Sequence, residues 1–276
     1  MAVSSLFLQA VRKFVFHSLT YFLIVLLHFI QEKIGGNKKM HILVGIGIIA
    51  ILAFCAWQGY KRGIIGGVIA ILFIIVSLYG ANLVASTYSD DFTTVFRPFI
   101  SGYLDSVEVS VANELVPSHM QGLSTEDMFR IDASLEETLA NSVFEALGVH
   151  PSRTERLAER FLSYRAAGDI SFNRAMTDVM VYAICFLIVY VIAFTLILIV
   201  LTVLYNIVHL TFRLPGDRRI DQYGGAVLGL VQGILLVLAL TWALGYIGLA
   251  LPEFAERSAV LNFFIRNNFL VNHINL

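Results

Sequence analysis

The chain has 276 residues, of which 58% are hydrophobic and only 14% are charged, and its mean hydropathy is +0.77. Soluble domains carry about 25% charged residues, so this composition indicates a membrane protein and excludes an ordinary soluble domain. The formal net charge of −1 gives no support for nucleic-acid binding, which requires a basic patch or stripe.

Residues 1–39 form an N-terminal extension with an apolar stretch at residues 14–30. A basic pair precedes this stretch, as in a signal peptide, but no small-residue cleavage site follows it. We therefore interpret it as an additional membrane-embedded or interfacial helix. The alternative is that Met40 is the true start and that the extension is not part of the protein.

Four further apolar runs have about the 20 residues that a helix needs to cross a bilayer. We therefore predict an all-α, polytopic transmembrane protein with four spans and a helical extramembrane loop. The spans lie at residues 41–57, 64–85, 179–210 and 224–251. They divide the chain into the N-terminal extension, a first transmembrane hairpin at 40–85, a loop at 86–178, a second hairpin at 179–251 and an amphipathic tail at 252–276.

The loop at residues 86–178 is the long polar part of the chain, and its acidic residues outnumber its basic ones. Capping-box motifs at Ser134 and Ser152 predict the starts of two helices. Apolar residues recur every fourth position along one helix face. They are Leu135, Leu139, Val143 and Leu147. This pattern predicts amphipathic helices that pack together or lie on the membrane.

Basic residues occupy both short connections between the spans. Lys61 and Arg62 lie in the turn at residues 58–63, and Arg218 and Arg219 lie between the third and fourth spans. Because positive residues in short loops mark the cytoplasmic face, we predict that both connections are cytoplasmic and that the acidic loop is outside. The lysines just before the first span oppose this orientation if residues 1–39 belong to the protein.

Glycines with a four-residue spacing flank both basic connections. This spacing places them on one helix face, where a second backbone can approach closely. The spacing leaves three alternatives open: packing within the chain, dimerisation, or a glycine-lined permeation path. The residues are Gly59, Gly63, Gly67, Gly225, Gly229 and Gly233.

Asp221 is the notable titratable residue, because it precedes the fourth span. A carboxylate there can cap the helix by accepting backbone N–H bonds. It can instead form a salt bridge to Lys61 or Arg62 and clamp the two hairpins together. Proton coupling is a third interpretation, which is weakened by the lack of acidic residues deeper in the predicted spans.

Two stretches resemble the colicin V production protein (CvpA) family of bacterial inner-membrane proteins. They are GYKRG at residues 59–63 and LPGDRRIDQYGGAVLGLVQG at residues 214–233, and the resemblance extends over residues 40–276. It implies a multi-pass protein of the bacterial inner membrane, associated with toxin production or export and with envelope homeostasis. The N-terminal extension has no counterpart in the usual pattern, and the loop is longer than in compact members.

The sequence predicts no catalytic, cofactor-binding or metal-binding residues, since the commonest metalloprotease and nucleotide-binding motifs do not occur. We therefore expect a protein that is not an enzyme and uses no cofactor. One hypothesis is a scaffold or accessory protein whose partners are the lipid bilayer, a second copy of the chain and an unidentified envelope protein. The alternative is an oligomeric channel-like transporter for a small solute or ion. The lack of intramembrane charges favours the scaffold.

Overall fold

The computed structural model describes residues 40–115, 123–168, 170–208, 218–246, 259–272 and 274. The elements in these ranges are helical, which confirms the all-α prediction. The N-terminal extension lies outside the described residues, so its predicted membrane helix stays a prediction.

Seven α-helices and a short 3-10 helix make up the described part of the chain. In order they are α1 (Met40–Leu115), α2 (Thr125–Ile131), α3 (Ser134–Ala146), α4 (Pro151–Ala166), α5 (Phe172–Val208), α6 (Arg218–Leu244), α7 (Ala259–Arg266) and the 3-10 helix Phe269–Asn272.

Three of the described helices are long and apolar enough to cross a membrane. They contain the segments Gly45–Leu115 of α1, Phe172–Tyr205 of α5 and Arg219–Leu244 of α6. The first and second predicted spans both lie within α1, so the count of four spans stays a prediction. The helix α6 ends before the predicted end of the fourth span at residue 251, because the chain turns at residues 245 and 246.

A single residue, Gly63, interrupts α1. Its φ of 75° and ψ of −177° are not helical, and glycine adopts such a positive φ without a steric cost from Cβ. The interruption divides α1 into a first limb, residues 40–62, and a second limb, residues 64–115. The turn predicted at residues 58–63 is therefore wrong in length, because the helix continues up to Gly63 and restarts directly after it.

The two limbs of α1 run in opposite directions along α6. The facing positions are Leu52 with Gly233, Gly59 with Gly229, Ile64 with Gly224 and Gly67 with Leu228. As the chain advances, the number of the facing residue on α6 falls along the first limb and rises along the second. The chain therefore reverses direction at Gly63 and forms a helical hairpin around α6.

The second limb pairs with α5 over most of its length. The rings of Phe73 and Tyr205 lie 6.0 Å apart, and further along Arg97 forms a salt bridge with Asp178. At 1.5 Å per residue the second limb is about 78 Å long, far more than the roughly 30 Å of a hydrocarbon core. The predicted boundary between hairpin and loop at residue 86 therefore falls inside one continuous helix.

Helices α2, α3 and α4 pack against the far part of the second limb and the start of α5. Phe172 is central to this core, with its ring 5.2 Å from that of Phe129 and 5.0 Å from that of Phe161. On α3, Leu139 and Val143 of the predicted apolar face are buried. The predicted amphipathic helices thus pack together and bury their apolar faces within the chain.

The predicted helix starts in the loop are shifted. Ser134 is the first residue of α3, and the side chain of Asp132 accepts a bond from its backbone N–H at 2.9 Å. Helix α4 begins at Pro151 and not after Ser152, because proline suits the first helical position, where no N–H donor is needed. A cap that the sequence reading missed is Ser124, whose side chain accepts the backbone N–H of the third residue of α2.

The C-terminal tail packs against the end of α6. Asn268 donates its side-chain amide to the carbonyl of Leu238 at 2.7 Å and to the hydroxyl of Thr241 at 3.1 Å. Leu261 and Ile265 of α7 are buried. The apolar face of this part of the amphipathic tail is therefore covered by the chain itself.

Candidate functional site at the Gly63 turn

The first limb of α1 and helix α6 touch through their backbones. A Cβ atom built on Gly59 would lie 2.7 Å from the Cα atom of Gly229, and a Cβ on Gly229 would lie 2.9 Å from the Cα of Gly59. Both distances are shorter than real Cβ contacts. Only residues without a side chain allow this approach, as in other small-residue helix interfaces.

The remaining predicted glycines line the contacts of both limbs of α1 with α6. A Cβ on Gly225 would lie 2.7 Å from the carbonyl carbon of Gly63, and a Cβ on Gly67 would lie 2.7 Å from the Cβ of Leu228. Gly233 has more space, since its nearest neighbour would be the Cβ of Cys55 at 3.1 Å. The structure thus brings all six glycines together, and it uses them for packing within one chain.

Gly224 is a member of the interface that the sequence reading missed. A Cβ at this position would lie 2.6 Å from the terminal methyl group of Ile64. Gly224 is adjacent to Gly225 and therefore falls outside the four-residue spacing that identified the others. The adjacent pair Gly224 and Gly225 is the sequence feature that could have identified it.

Asp221 lies in the first turn of α6 but caps the other helix. Its Oδ1 accepts a hydrogen bond of 2.9 Å from the backbone N–H of Ile64, the first residue of the second limb. The first N–H groups of a helix have no partner within the helix, and a carboxylate also interacts favourably with the helix dipole there. Asp221 therefore both caps a helix and links the two hairpins, as the two predictions proposed separately. Its partner, however, is the backbone amide of Ile64 and not the side chain of Lys61 or Arg62.

The Gly63 turn has two reasons to contain glycine. Its positive φ disfavours other residues, and a Cβ would lie 2.7 Å from the Oδ1 atom of Asp221. The same turn is held by Tyr60, whose hydroxyl donates to the side-chain oxygen of Gln222 at 3.1 Å. Tyr60, Gly63 and Ile64 therefore all contact the start of α6, at Asp221 or Gln222.

The predicted cytoplasmic anchors gather at this end of the helices. Lys61 is exposed, with its ammonium 3.6 Å from the centroid of the Trp57 ring, a favourable cation–π arrangement. Arg62 and Arg219 are also exposed. Arg218 begins α6, and its side chain lies outside the described part of the structure.

The opposite end of α6 docks on the extramembrane helices. The backbone N–H of His150 donates to the carbonyl of Gly245 at 3.1 Å. Arg153 is 2% exposed beside this turn, where a cation interacts favourably with the carbonyl end of the helix. From Asp221 to Gly245 the helix rises about 36 Å, which matches a bilayer. The basic turn and the extramembrane helices therefore lie at opposite ends of α6, and which end is cytoplasmic stays a prediction.

A second polar site, which the sequence reading missed, ties four helices together. Arg165 of α4 binds both carboxylate oxygens of Glu126 of α2, at 3.2 and 3.0 Å, and its Nε lies 2.8 Å from Glu136 of α3. Glu126 also accepts the backbone N–H of Phe172, at the start of α5, at 2.7 Å. No sequence spacing links these positions, so only the fold reveals the cluster.

The environment of Glu126 favours its ionised form. Burial alone raises the pKa of this carboxyl, but the Phe172 N–H bond and the Arg165 guanidinium outweigh that effect and hold the pKa below its usual range. The cluster is thus an ion-paired joint between helices.

Residues 152–268 match the family model described as Colicin V production protein. The match includes α5 and α6, and with them Asp221 and the glycines of α6, whereas α1 lies outside it. It confirms the family resemblance over these residues. No curated protein and no solved structure matches the chain. Together with the long apolar helices, the match indicates a multi-pass membrane protein related to this family.

Proposed function

We propose that this membrane protein, which is similar to the colicin V production family over residues 152–268, is a non-enzymatic scaffold or accessory protein of the bacterial inner membrane. In this role it supports the production or export of a peptide toxin and the integrity of the cell envelope. It does so by holding its extramembrane helices in a fixed position on the bilayer, where an envelope protein binds them.

The backbone contact between Gly59 and Gly229 carries this proposal. Because the two backbones touch, there is no room for a solute between the first limb and α6. A permeation path lined by these glycines is therefore disfavoured. The interface instead acts as a close-packed joint, which suits a protein that maintains a fixed arrangement of helices.

The connection between the membrane helices and the extramembrane helices supports the same role. The second limb of α1 and the start of α5 continue without interruption from their apolar parts into the polar layer. The salt bridge between Arg97 and Asp178 joins these two helices beyond the apolar run of α1. The layer is therefore attached through two paired helices, so that its surface keeps its position relative to these membrane helices.

The test is deletion of the gene, followed by measurement of entry of a membrane-impermeant dye with and without bile-salt stress. The deletion strain is complemented with the wild type, with Gly229→Leu and with Gly47→Leu. A Cβ at Gly47 meets nothing within 4 Å, so Gly47→Leu adds the same side chain at a place without a contact within the chain. Immunoblots of the membrane fraction verify that the wild type and both variants are present at equal levels.

We expect the deletion strain to leak under bile salts, with rescue by the wild type and by Gly47→Leu but not by Gly229→Leu. In a toxin-producing strain, the same deletion should lower the toxin output. An intact envelope and normal toxin output in the deletion strain would overturn the proposal. Purified protein that increases solute or ion flux in liposomes would instead establish the transporter.

A further inference from the structure

The second limb of α1 carries a row of exposed residues beyond its apolar membrane run. They recur with alternating spacings of four and three, which is the a and d pattern of a coiled coil. We call this row the α1 seam. It consists of Tyr88, Phe92, Val95, Phe99, Gly102, Ser106 and Val109. The exposed fractions of its large side chains range from 47% for Phe92 to 77% for Phe99.

The α1 seam faces away from the other helices in the described part of the chain. Leu104 and Glu108, on the other side of the same helix, are buried against the chain's own helices. Asp90 and Asp91 lie beside the start of the seam and are exposed. The apolar run at residues 64–85 already spans about 33 Å, so the helix has left the hydrocarbon core before the seam begins. Lipid tails therefore do not cover it.

We propose that the α1 seam binds the same seam of a second copy of this chain, as a parallel two-stranded coiled coil outside the bilayer. Copies that insert into one membrane with one topology have parallel α1 helices. Identical residues can then meet in register around a two-fold axis, which is the arrangement that an a and d seam requires.

The area of the seam fits a dimer contact. Its exposed aromatic and valine side chains, with the neighbouring Tyr103 at 60% exposure, offer roughly 600 Å² per copy. Two copies together would bury about 1,200 Å², the lower end of the range for specific interfaces. A patch of this size on a single copy is also at the upper end of what monomeric proteins expose.

The residues beside the seam are compatible with a parallel pair. In this register Asp91 of one copy faces Phe96 of the other, and Asp105 faces Ser110, so no like charges meet across the interface. Gly102 is open, since a Cβ there would meet nothing within 4 Å, and it lets the two helices approach. Pro98 lies at a flanking position, outside the a and d positions.

This inference goes beyond the proposed function and does not depend on it. The glycine faces, which the sequence offered as a dimer surface, are already buried within one chain. The α1 seam is a separate surface further along the helix, so self-association is tested independently of envelope integrity.

The experiment is cysteine cross-linking of the full chain in native membrane vesicles. The background carries Cys55→Ala and Cys185→Ala, and single cysteines are introduced as Phe99→Cys, at an a position, or as Thr94→Cys, an exposed control at an outer position of the same helix, away from the seam. Mild oxidation forms disulfides between copies, which needs Cα atoms within about 7 Å. In separate samples that are not oxidised, a membrane-impermeant maleimide tests whether the Thr94→Cys thiol is in water.

We expect about 5-fold more dimer for Phe99→Cys than for Thr94→Cys, because only the seam position brings two thiols within disulfide distance. Equal dimer at both positions, or no dimer from Phe99→Cys, would overturn the proposal. It would also be overturned by a product whose mass is not that of two copies, which would reveal another partner. A Thr94→Cys thiol that the impermeant maleimide cannot reach would place this part of the helix in lipid and overturn it as well.

Discussion

The backbone N–H of Ile64 donates to the Oδ1 atom of Asp221 at 2.9 Å, so that a residue of α6 caps the second limb of α1. The two residues are 157 positions apart in the chain. A helix is thus started by a side chain that reaches it only after the two hairpins have docked. The bond makes the Gly63 turn and the glycine interface parts of one structure.

Substitution of Asp221 tests this cap. We expect Asp221→Ala to lower the free energy of unfolding by about 1 kcal/mol, because the Ile64 N–H loses its acceptor. Asp221→Asn keeps an acceptor oxygen and should lose only a part of this. The measurement is unfolding in mixed detergent micelles followed by circular dichroism, with hydrogen exchange at Ile64 as the local readout. Equal losses for both variants would contradict the cap.

Substitution of Gly63 tests the turn. We expect Gly63→Ala to destabilise the protein by about 1–2 kcal/mol through its positive φ, with an additional cost from the contact with Asp221. The double variant Gly63→Ala/Asp221→Ala removes that contact but keeps the backbone strain. Its loss should therefore be smaller than the sum of the two single losses. Additive losses in the same unfolding measurement would show that a Cβ at position 63 does not clash with the side chain of Asp221.

Substitution of Gly229 tests the backbone contact. We expect Gly229→Ala to lower the free energy of unfolding by about 1–3 kcal/mol, because the new methyl group forces the first limb and α6 apart. Gly47→Ala is the matched control in α1, and it should be neutral or stabilising by about 0.5–1 kcal/mol. Thermal unfolding of both variants in nanodiscs provides the comparison. A Gly229→Ala protein as stable as the control would mean that the helices are less closely packed.

The Glu126 cluster predicts a pH dependence. Since the pKa of Glu126 is lowered in the folded chain, its ionised form contributes stability above the unfolded pKa, and this contribution is lost as the pH falls through the lower folded value. We expect the protection factors for hydrogen exchange within residues 123–168, which compare the observed rate with the intrinsic rate at each pH, to fall on acidification. Glu126→Gln should be destabilised at neutral pH and should show a smaller fall.

The control for this prediction is Glu137→Gln, the same substitution at an exposed residue of the neighbouring helix α3. It should follow the wild-type pH profile. If Glu126→Gln also followed that profile, the ion-paired joint would not contribute to the acid response of the extramembrane helices.

The sequence predicted the parts of the structure that depend on local pattern. Hydrophobic runs predicted the apolar helices, and the four-residue glycine spacing identified six residues of the interface, because both signals repeat along one helix face. The spacing did not indicate whether Gly59 would meet Gly229 of its own chain or of another. That choice depends on how the helices assemble, which a periodic pattern does not encode.

The parts that could not be predicted depend on contacts between distant residues. The acceptor for Ile64 is Asp221, and the partner of Arg165 is Glu126, neither of which is near in sequence. The length of α1 was also missed, because a polar stretch after an apolar one indicates the end of a span and not the end of a helix.

Because the second limb of α1 is unbroken, a change in the tilt of its apolar part also moves the extramembrane layer. Transmembrane helices adjust to a thinner or thicker membrane by changing their tilt. A change of about 10° in the apolar part would move the far end of the limb, Leu115, sideways by about 8 Å relative to residue 85, at 1.5 Å rise per residue. Membrane thickness would thereby be converted into displacement of the surface that the protein presents to its surroundings.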